Sequence, residues 1–179
     1  SSKSFLNQIN IINKYDIQHA IISSVVPDNN DLYIKKIQEI LCVDLMVVNN
    51  KNCKINFDVE DPTTIGSDRL CNMAASIKLY KAPLIIIDFG TANTYDVINN
   101  NNTFIGGAIS PGIETSAKHL IEKAALLDKT DFKFPKKAIG KSTKTNIQSG
   151  IMFGSVDQIC GMIDRIKKET RVDNYLIIL

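Results

Sequence analysis

Strand and helix patterns alternate along most of this chain, which predicts an α/β protein. Three observations carry that prediction. Residues 84–87 form a continuous apolar run, as in a strand buried on both faces. Two more strand patterns follow, 94–98 and 103–110, joined by the asparagine run 99–102, whose residues tolerate the positive φ of a tight hairpin turn. Around them lie segments with apolar residues three and four apart, the spacing of helices with one buried face.

In order, Phe5, Leu6, Ile9 and Ile12, with Ile11, fit a first helix. Residues 19–26 read as a strand ended by Pro27. Residues 28–30 offer caps for a helix carrying Leu32, Ile34, Ile37, Ile40 and Leu41. A short strand at 45–48, a turn at 49–52 and a minor strand at 54–57 follow. Ser67 or Asp68 can cap a helix reaching Tyr80, with Leu70, Met73, Ala74 and Ile77 on one face. After the three central strands, Pro111-Gly112 opens a helix with Ile113, Ala117, Leu120, Ile121 and Ala124 inward. A lysine-rich loop leads to a long helix over 145–170, with Ile147, Ile151, Ile159, Met162, Ile163 and Ile166 inward. Gly150, Gly154 and Gly161 predict close backbone packing on that helix, and 174–179 reads as a last strand. The two halves share an order of elements if the first is given leading strands. This predicts a duplicated architecture, with a domain at 1–82, a second at 83–179, and both outer ends missing.

The chain has 179 residues, 44% hydrophobic and 22% charged, enough to bury an ordinary core. A net charge of +2 does not select nucleic acid as a partner. Six lysines lie between Lys129 and Lys144 and read as a solvated basic surface. Cys42, Cys53, Cys71 and Cys160 have irregular spacing and no C-x-x-C pair, which signals neither zinc nor a disulfide framework and fits reduced thiols in a cytoplasmic protein. No apolar run approaches the length of a membrane span.

The chemistry-bearing segment is 88–91, Asp-Phe-Gly-Thr, directly after the buried run. A carboxylate at the mouth of a strand can hold a cation, Gly90 admits a phosphate close to the backbone, and Thr91 offers a hydroxyl. The same residues also suit a plain turn with a capping aspartate. His19 and His119 have no evident partners and read as surface residues.

Five segments occur in a telling order: Ile-Ser-Ser-Val-Val-Pro at 22–27, Gly-Ser-Asp-Arg at 66–69, Asp-Phe-Gly-Thr-Ala at 88–92, Gly-Gly-Ala-Ile-Ser-Pro-Gly-Ile-Glu-Thr-Ser at 106–116, and Gly-Lys-Ser-Thr-Lys-Thr-Asn-Ile-Gln-Ser-Gly at 140–150. Together they resemble the type III pantothenate kinase family from about residue 21 to the end. That resemblance implies the duplicated actin-like, ribonuclease H-like fold of the acetate-kinase/sugar-kinase/Hsp70/actin superfamily, with two domains around ATP. The implied reaction is phosphoryl transfer from ATP to the primary hydroxyl of pantothenate. The family's opening Asp-x-Gly-Asn-Thr and closing Thr-Gly-Gly segments have no counterpart here, so the expectation is a chain truncated at both ends.

The resemblance also implies roles. Asp68 matches the general base, against a helix cap as the plainer reading. Arg69 would fork onto the pantothenate carboxylate, against a surface ion pair. Gly66 and Ser67 would line the same pocket, and Thr143 matches a substrate-binding threonine, against a loop hydroxyl. Thr91 matches an ATP contact and Asp88 a monovalent-cation ligand, for potassium or ammonium. Magnesium would arrive with ATP. Gly106, Gly107 and Gly112 would shape turns near the site. Val59 stands where the family usually has tyrosine. A homodimer is implied, without nucleic acid or membrane. Two alternatives stay open: a kinase of another small hydroxy acid, and a non-catalytic binding or regulatory protein.

Overall fold

A computed structural model describes residues 11–12, 14–123 and 131–179, with the backbone alone at 27–29. The helical spacing of Phe5, Leu6 and Ile9, and Ala124 further on, fall outside the described residues. The chain divides into two compact units, Ser1–Leu79 and Tyr80–Leu179.

In the first unit, β1 (His19–Ile22) and β2 (Asp44–Val47) pair in parallel, His19 opposite Asp44 and Ile22 opposite Val47. The crossover between them is α1 (Pro27–Leu41). Strand β1 stops four residues earlier than its apolar pattern suggests, and the helix begins at Pro27 rather than after it. Proline's fixed φ and missing N–H suit the first helical turn, where that N–H has no intrahelical acceptor. Cys42 closes α1 in the left-handed conformation, donating its N–H to Gln38 O. The two-residue strand β3 (Asn56–Phe57) comes next. A one-turn 3-10 helix (Pro62–Thr64) follows, capped by Asp61, whose carboxylate accepts from the Thr63 N–H at 2.9 Å and hydroxyl at 2.6 Å. Then comes α2 (Ser67–Leu79), burying Leu70 and Met73 as its spacing predicts.

In the second unit, β4 (Leu84–Phe89), β5 (Ala92–Ile98) and β6 (Thr103–Pro111) form an antiparallel meander. The last strand β7 (Leu176–Ile178) pairs in parallel with β4, so the order is β6-β5-β4-β7 and β4 is interior. That position explains its unbroken apolar run: Leu84, Ile85, Ile86 and Ile87 are all buried. The asparagine turn forms as expected, with Asn102 at φ 54° and Asn99 Oδ1 accepting from the Asn101 and Thr103 N–H groups. Helix α3 (Ile113–Lys123) and the long α4 (Thr143–Thr170) complete the unit. Ile159, Met162, Ile163 and Ile166 of α4 pack on Ile85, Ile87, Tyr95, Val97 and Tyr175. Pro111 ends β6 rather than opening α3.

The glycines of α4 correct one expectation. A Cβ at Gly150, Gly154 or Gly161 would meet nothing within 4 Å, so no backbone is packed against them among the described residues. The cysteines are all free thiols. Among the described residues no helix is long and apolar enough to cross a membrane.

Candidate functional site

Gly66, Ser67, Asp68 and Arg69 are brought together at the start of α2. The Gly66 carbonyl accepts from the Leu70 N–H at 3.1 Å, so Gly66 stands at the cap position and Asp68 one residue inside the helix. Neither Ser67 nor Asp68 is therefore the cap that the helix pattern suggested. Ser67 is buried and acts as a brace: its hydroxyl donates to the Ser24 carbonyl at 3.0 Å and accepts from the Ser23 hydroxyl at 3.0 Å. These bonds span more than forty residues of sequence and use the stretch where β1 ended early. Asp68 is exposed, its Oδ1 accepting the Arg69 N–H at 2.8 Å. A Cβ at Gly66 would run into that same carboxylate oxygen, so glycine leaves room for it.

The segment into this helix start is held by an acid. The Thr63 hydroxyl, and then its N–H, holds the Asp61 carboxyl below the usual carboxylate range. This cap is complete above the ordinary carboxylate range and is lost as pH falls through the lowered value.

In the second unit, Asp88 is the half-buried penultimate residue of β4, and Phe89-Gly90-Thr91 turns into β5 with all three residues exposed. Gly90 N–H donates to Ala92 O at 3.1 Å. The Thr91 carbonyl accepts twice, from Gly112 N–H at 2.9 Å and from the Thr115 hydroxyl at 2.8 Å. Both donors lie at the start of α3, so the hairpin tip is fastened to that helix. Gly112 is required by this closeness: a Cβ there would fall on the Gly90 carbonyl oxygen, backbone that cannot swing away. Gly107 is confined in the same way by the Tyr95 carbonyl, and Gly106 has φ 116°, in the left-handed range that favours glycine.

Between the hairpin tip and α3 lies a cavity of about 500 Å³, lined by Phe89, Gly90, Thr91, Asn93, Ile113, Glu114, Thr115 and Lys118. Lys118 pairs with Glu114 at 3.2 Å, one turn apart on α3. Asn93 is 1% exposed, and its Nδ2 has no hydrogen-bond partner among the described residues. The Tyr95 hydroxyl and Ser110 Oγ lie on the same face of the meander, and no hydrogen bond of ordinary geometry joins either to a partner among the described residues. Burial pushes the Tyr95 hydroxyl up, while the nearby Ser110 hydroxyl acts the other way. An unmet buried polar group costs about 1–3 kcal/mol, so this cluster has a physical reason to take a polar ligand or water. The strand read from the sequence starts at residue 94, so it stops one short of Asn93, whereas Tyr95 and Ser110 fall inside the 94–98 and 103–110 patterns.

Thr143 is apart from these residues in sequence and is the first residue of α4, exposed. The turn before it is tightly built. Ser142 and Thr145 form a reciprocal capping box, with the Thr145 hydroxyl accepting from the Lys141 and Ser142 N–H groups at 2.9 and 3.0 Å. Ser149 Oγ donates to Ala138 O, Gln148 Nε2 donates to Asp131 O at 2.8 Å, and Phe134 stacks tilted on Phe153 at 5.5 Å. Part of the lysine-rich loop is thereby pinned to α4. Among the described residues, no group of three or more His, Cys, Asp or Glu is placed to hold a metal ion.

On a mixed α/β frame, this hairpin tip clamped to a helix start beside a partly polar cavity is a geometry that can admit an anion close to the backbone. Residues 2–165 match the family model described as type III pantothenate kinase, and the chain belongs to that family. It is 37% identical over 175 residues to a type III pantothenate kinase of Sulfurihydrogenibium sp., covering 97% of this chain and 69% of that protein. It is 39% identical over 149 residues to a type III pantothenate kinase of Thermomicrobium roseum, covering 83% of this chain and 58% of that protein. The chain thus spans about two thirds of these relatives' length or less. Among solved structures, a Baf family protein of Campylobacter jejuni matches with a TM-score of 0.60 at 18% identity, covering 86% of this chain and 68% of that one, a likeness of fold. The family is one of kinases, transferases of coenzyme A biosynthesis.

Proposed function

We propose that this protein phosphorylates pantothenate with ATP, giving 4'-phosphopantothenate and ADP, the first step towards coenzyme A. The observation that carries the reading is the family match over residues 2–165, which takes in both the 66–69 helix start and the 88–91 hairpin. The frame is the duplicated actin-like, two-domain fold.

The primary hydroxyl oxygen of pantothenate attacks the γ-phosphorus of ATP. Its proton passes to the carboxylate of Asp68, the bond from γ-phosphorus to the bridging oxygen breaks, and ADP leaves. Exposure of Asp68 supports this role, because a base must be reachable by the hydroxyl it deprotonates. Arg69 meets the pantothenate carboxylate, Gly66 and Ser67 line that pocket through the backbone, and Thr143 adds a hydroxyl. Thr91 donates to an ATP phosphate. A single half-buried carboxylate, Asp88, suits a loosely held monovalent cation, potassium or ammonium. Magnesium comes with the nucleotide, its ligands mostly phosphate oxygens and water. The protein works in the cytoplasm as a homodimer.

The test is product formation by the full-length protein from ATP and pantothenate, in potassium and then in sodium, followed by mass spectrometry. Phosphopantothenate formed faster in potassium is the expected result. Phosphorylation of another hydroxy acid with pantothenate untouched would move the substrate, and a folded protein with no turnover on either would overturn the kinase reading.

A further inference from the structure

Asp61 belongs to a turn that the proposed reaction leaves unused, yet that turn leads straight into the helix start the reaction needs. Its Oδ1 accepts two bonds from one residue, the Thr63 hydroxyl at 2.6 Å and the Thr63 N–H at 2.9 Å. Its backbone carbonyl accepts the Thr64 hydroxyl at 2.8 Å. The Ile65 N–H donates to Pro62 O at 3.4 Å, which closes the one-turn 3-10 helix. Ile65 itself is extended, with φ −78° and ψ 125°. It alone separates that turn from Gly66, the cap of α2, and Asp68 and Arg69 follow in the first turn of the helix. Successive residues of a helix point about 100° apart, so rocking this turn displaces the carboxylate and the guanidinium in different directions. Ser67 fastens the helix start at one point, through Ser23 and Ser24. A segment fastened at one point can still rock about it. A rigid turn in the chain that enters it removes that freedom.

We propose that Asp61 is a positioning residue for the pantothenate site: its carboxylate, through Thr63, fixes the turn that delivers Asp68 and Arg69 to the two ends of the substrate. This rests on the kinase reading above and adds to it a carboxylate that touches neither pantothenate nor nucleotide. Pantothenate carries its primary hydroxyl at one end and its carboxylate at the other, so base and guanidinium must be in place together. A misplacement of 1 Å can cost about 10²-fold in rate. Asp61 is exposed and its bonds are local, so its main effect falls on the kinetics rather than on global stability.

The experiment compares wild type with Asp61→Ala, Asp61→Asn and Thr63→Val in the full-length protein. Alanine removes the acceptor. Asparagine keeps an Oδ1 that can take both Thr63 bonds, and it caps as well as aspartate does. Valine at 63 removes the hydroxyl and keeps the N–H. Four quantities are read: kcat and KM for pantothenate, KM for ATP, and the melting temperature. Loss of a cap shifts the local equilibrium about fivefold, and catalysis falls with the competent fraction. The expected result is a fall of about fivefold or more in kcat/KM for pantothenate with Asp61→Ala, a smaller fall with Thr63→Val, and a value within about twofold of wild type with Asp61→Asn. KM for ATP stays within about twofold throughout. A cap that serves only the fold would lower the melting temperature and leave the pantothenate kinetics at wild-type values, which overturns the proposal. An Asn variant as impaired as the Ala variant overturns it too, because the two hydrogen bonds would then not carry the effect. So does an equal rise in KM for ATP, which would place the defect outside the pantothenate site. Should Asp61→Ala fail to fold, Thr63→Val beside Asp61→Asn decides by the same readings. A wild type with no turnover on pantothenate overturns the kinase reading and this inference together; an active wild type beside an unimpaired Asp61→Ala variant overturns this inference alone.

Discussion

The helix start at 66–69 and the hairpin at 88–91 are held in opposite ways. The first is fastened by one side chain, Ser67, reaching Ser23 and Ser24, while the carboxylate beside it faces solvent. The second is fastened by backbone: the Thr91 carbonyl is gripped by Gly112 and Thr115, and Gly112 leaves no room for a Cβ. A side-chain brace separates holding from chemistry, since Ser67 can carry the position and Asp68 the reaction. A backbone clamp joins them, because whatever shifts the clamp moves the exposed hairpin tip too. Substitutions in the two regions therefore fail differently.

The largest effect expected is at Asp68. Asn in its place keeps an oxygen for the Arg69 N–H and the same shape, so stability changes by less than about 0.5 kcal/mol. Loss of a general base lowers kcat about 10²- to 10⁴-fold. Turnover and thermal melting of Asp68→Asn measure both. A large fall in melting temperature would break the comparison by making Asp68 part of the brace.

At the hairpin, Gly112→Ala forces the Gly90 and Thr91 carbonyls apart from the start of α3. Overpacking against backbone costs about 3 kcal/mol or somewhat less, and ADP affinity falls with it. Calorimetric melting and ADP titration check the pair of effects. A variant that loses stability but binds ADP normally would show that the clamp and the ligand site are separable after all.

Ser67→Ala comes next. It leaves the Ser23 hydroxyl and Ser24 carbonyl short of a partner in a part-buried setting, which costs about 1–2 kcal/mol. Ser67→Thr, which keeps the hydroxyl, recovers most of the loss in chemical denaturation. Equal losses in both variants would mean that packing, not the two hydrogen bonds, holds this helix start.

The meander was legible in the sequence because its signals are local. An interior strand needs a continuous apolar run, and a tight turn needs residues that accept positive φ; 84–87 and 99–102 supply them within a few positions. Helix α1 was misplaced at its start because Pro27 satisfies two opposite rules, ending a strand or opening a helix. Ser23 and Ser24, left between strand and helix, bond instead to Ser67, more than forty residues on. At the candidate sites, 88–91 could be picked out by residue type and 66–69 only by the family resemblance, and in neither case what fastens the segment. Gly112 looks like any glycine before a helix until the Gly90 carbonyl is known to lie against it, and Asn93 falls just outside the 94–98 strand pattern although it is a buried residue of β5. Long-range closeness has no signature in a single sequence.

Glycine in α4 offers the sharpest contrast to Gly112, and the smallest effect. The same change, a methyl group added at Gly150, meets nothing within 4 Å on an exposed face of a 28-residue helix. Alanine there loses less backbone freedom on folding, so Gly150→Ala stabilises by about 1 kcal/mol, a rise in melting temperature of about 3 °C. One chemical change thus carries opposite signs in two places, decided by what lies beyond the Cα. A lower melting temperature for Gly150→Ala would mean that some surface presses on this face of α4. Sedimentation over a concentration series would then tell whether that surface is a second copy of the chain: a self-associating wild type that the variant leaves monomeric would place the subunit contact on this helix.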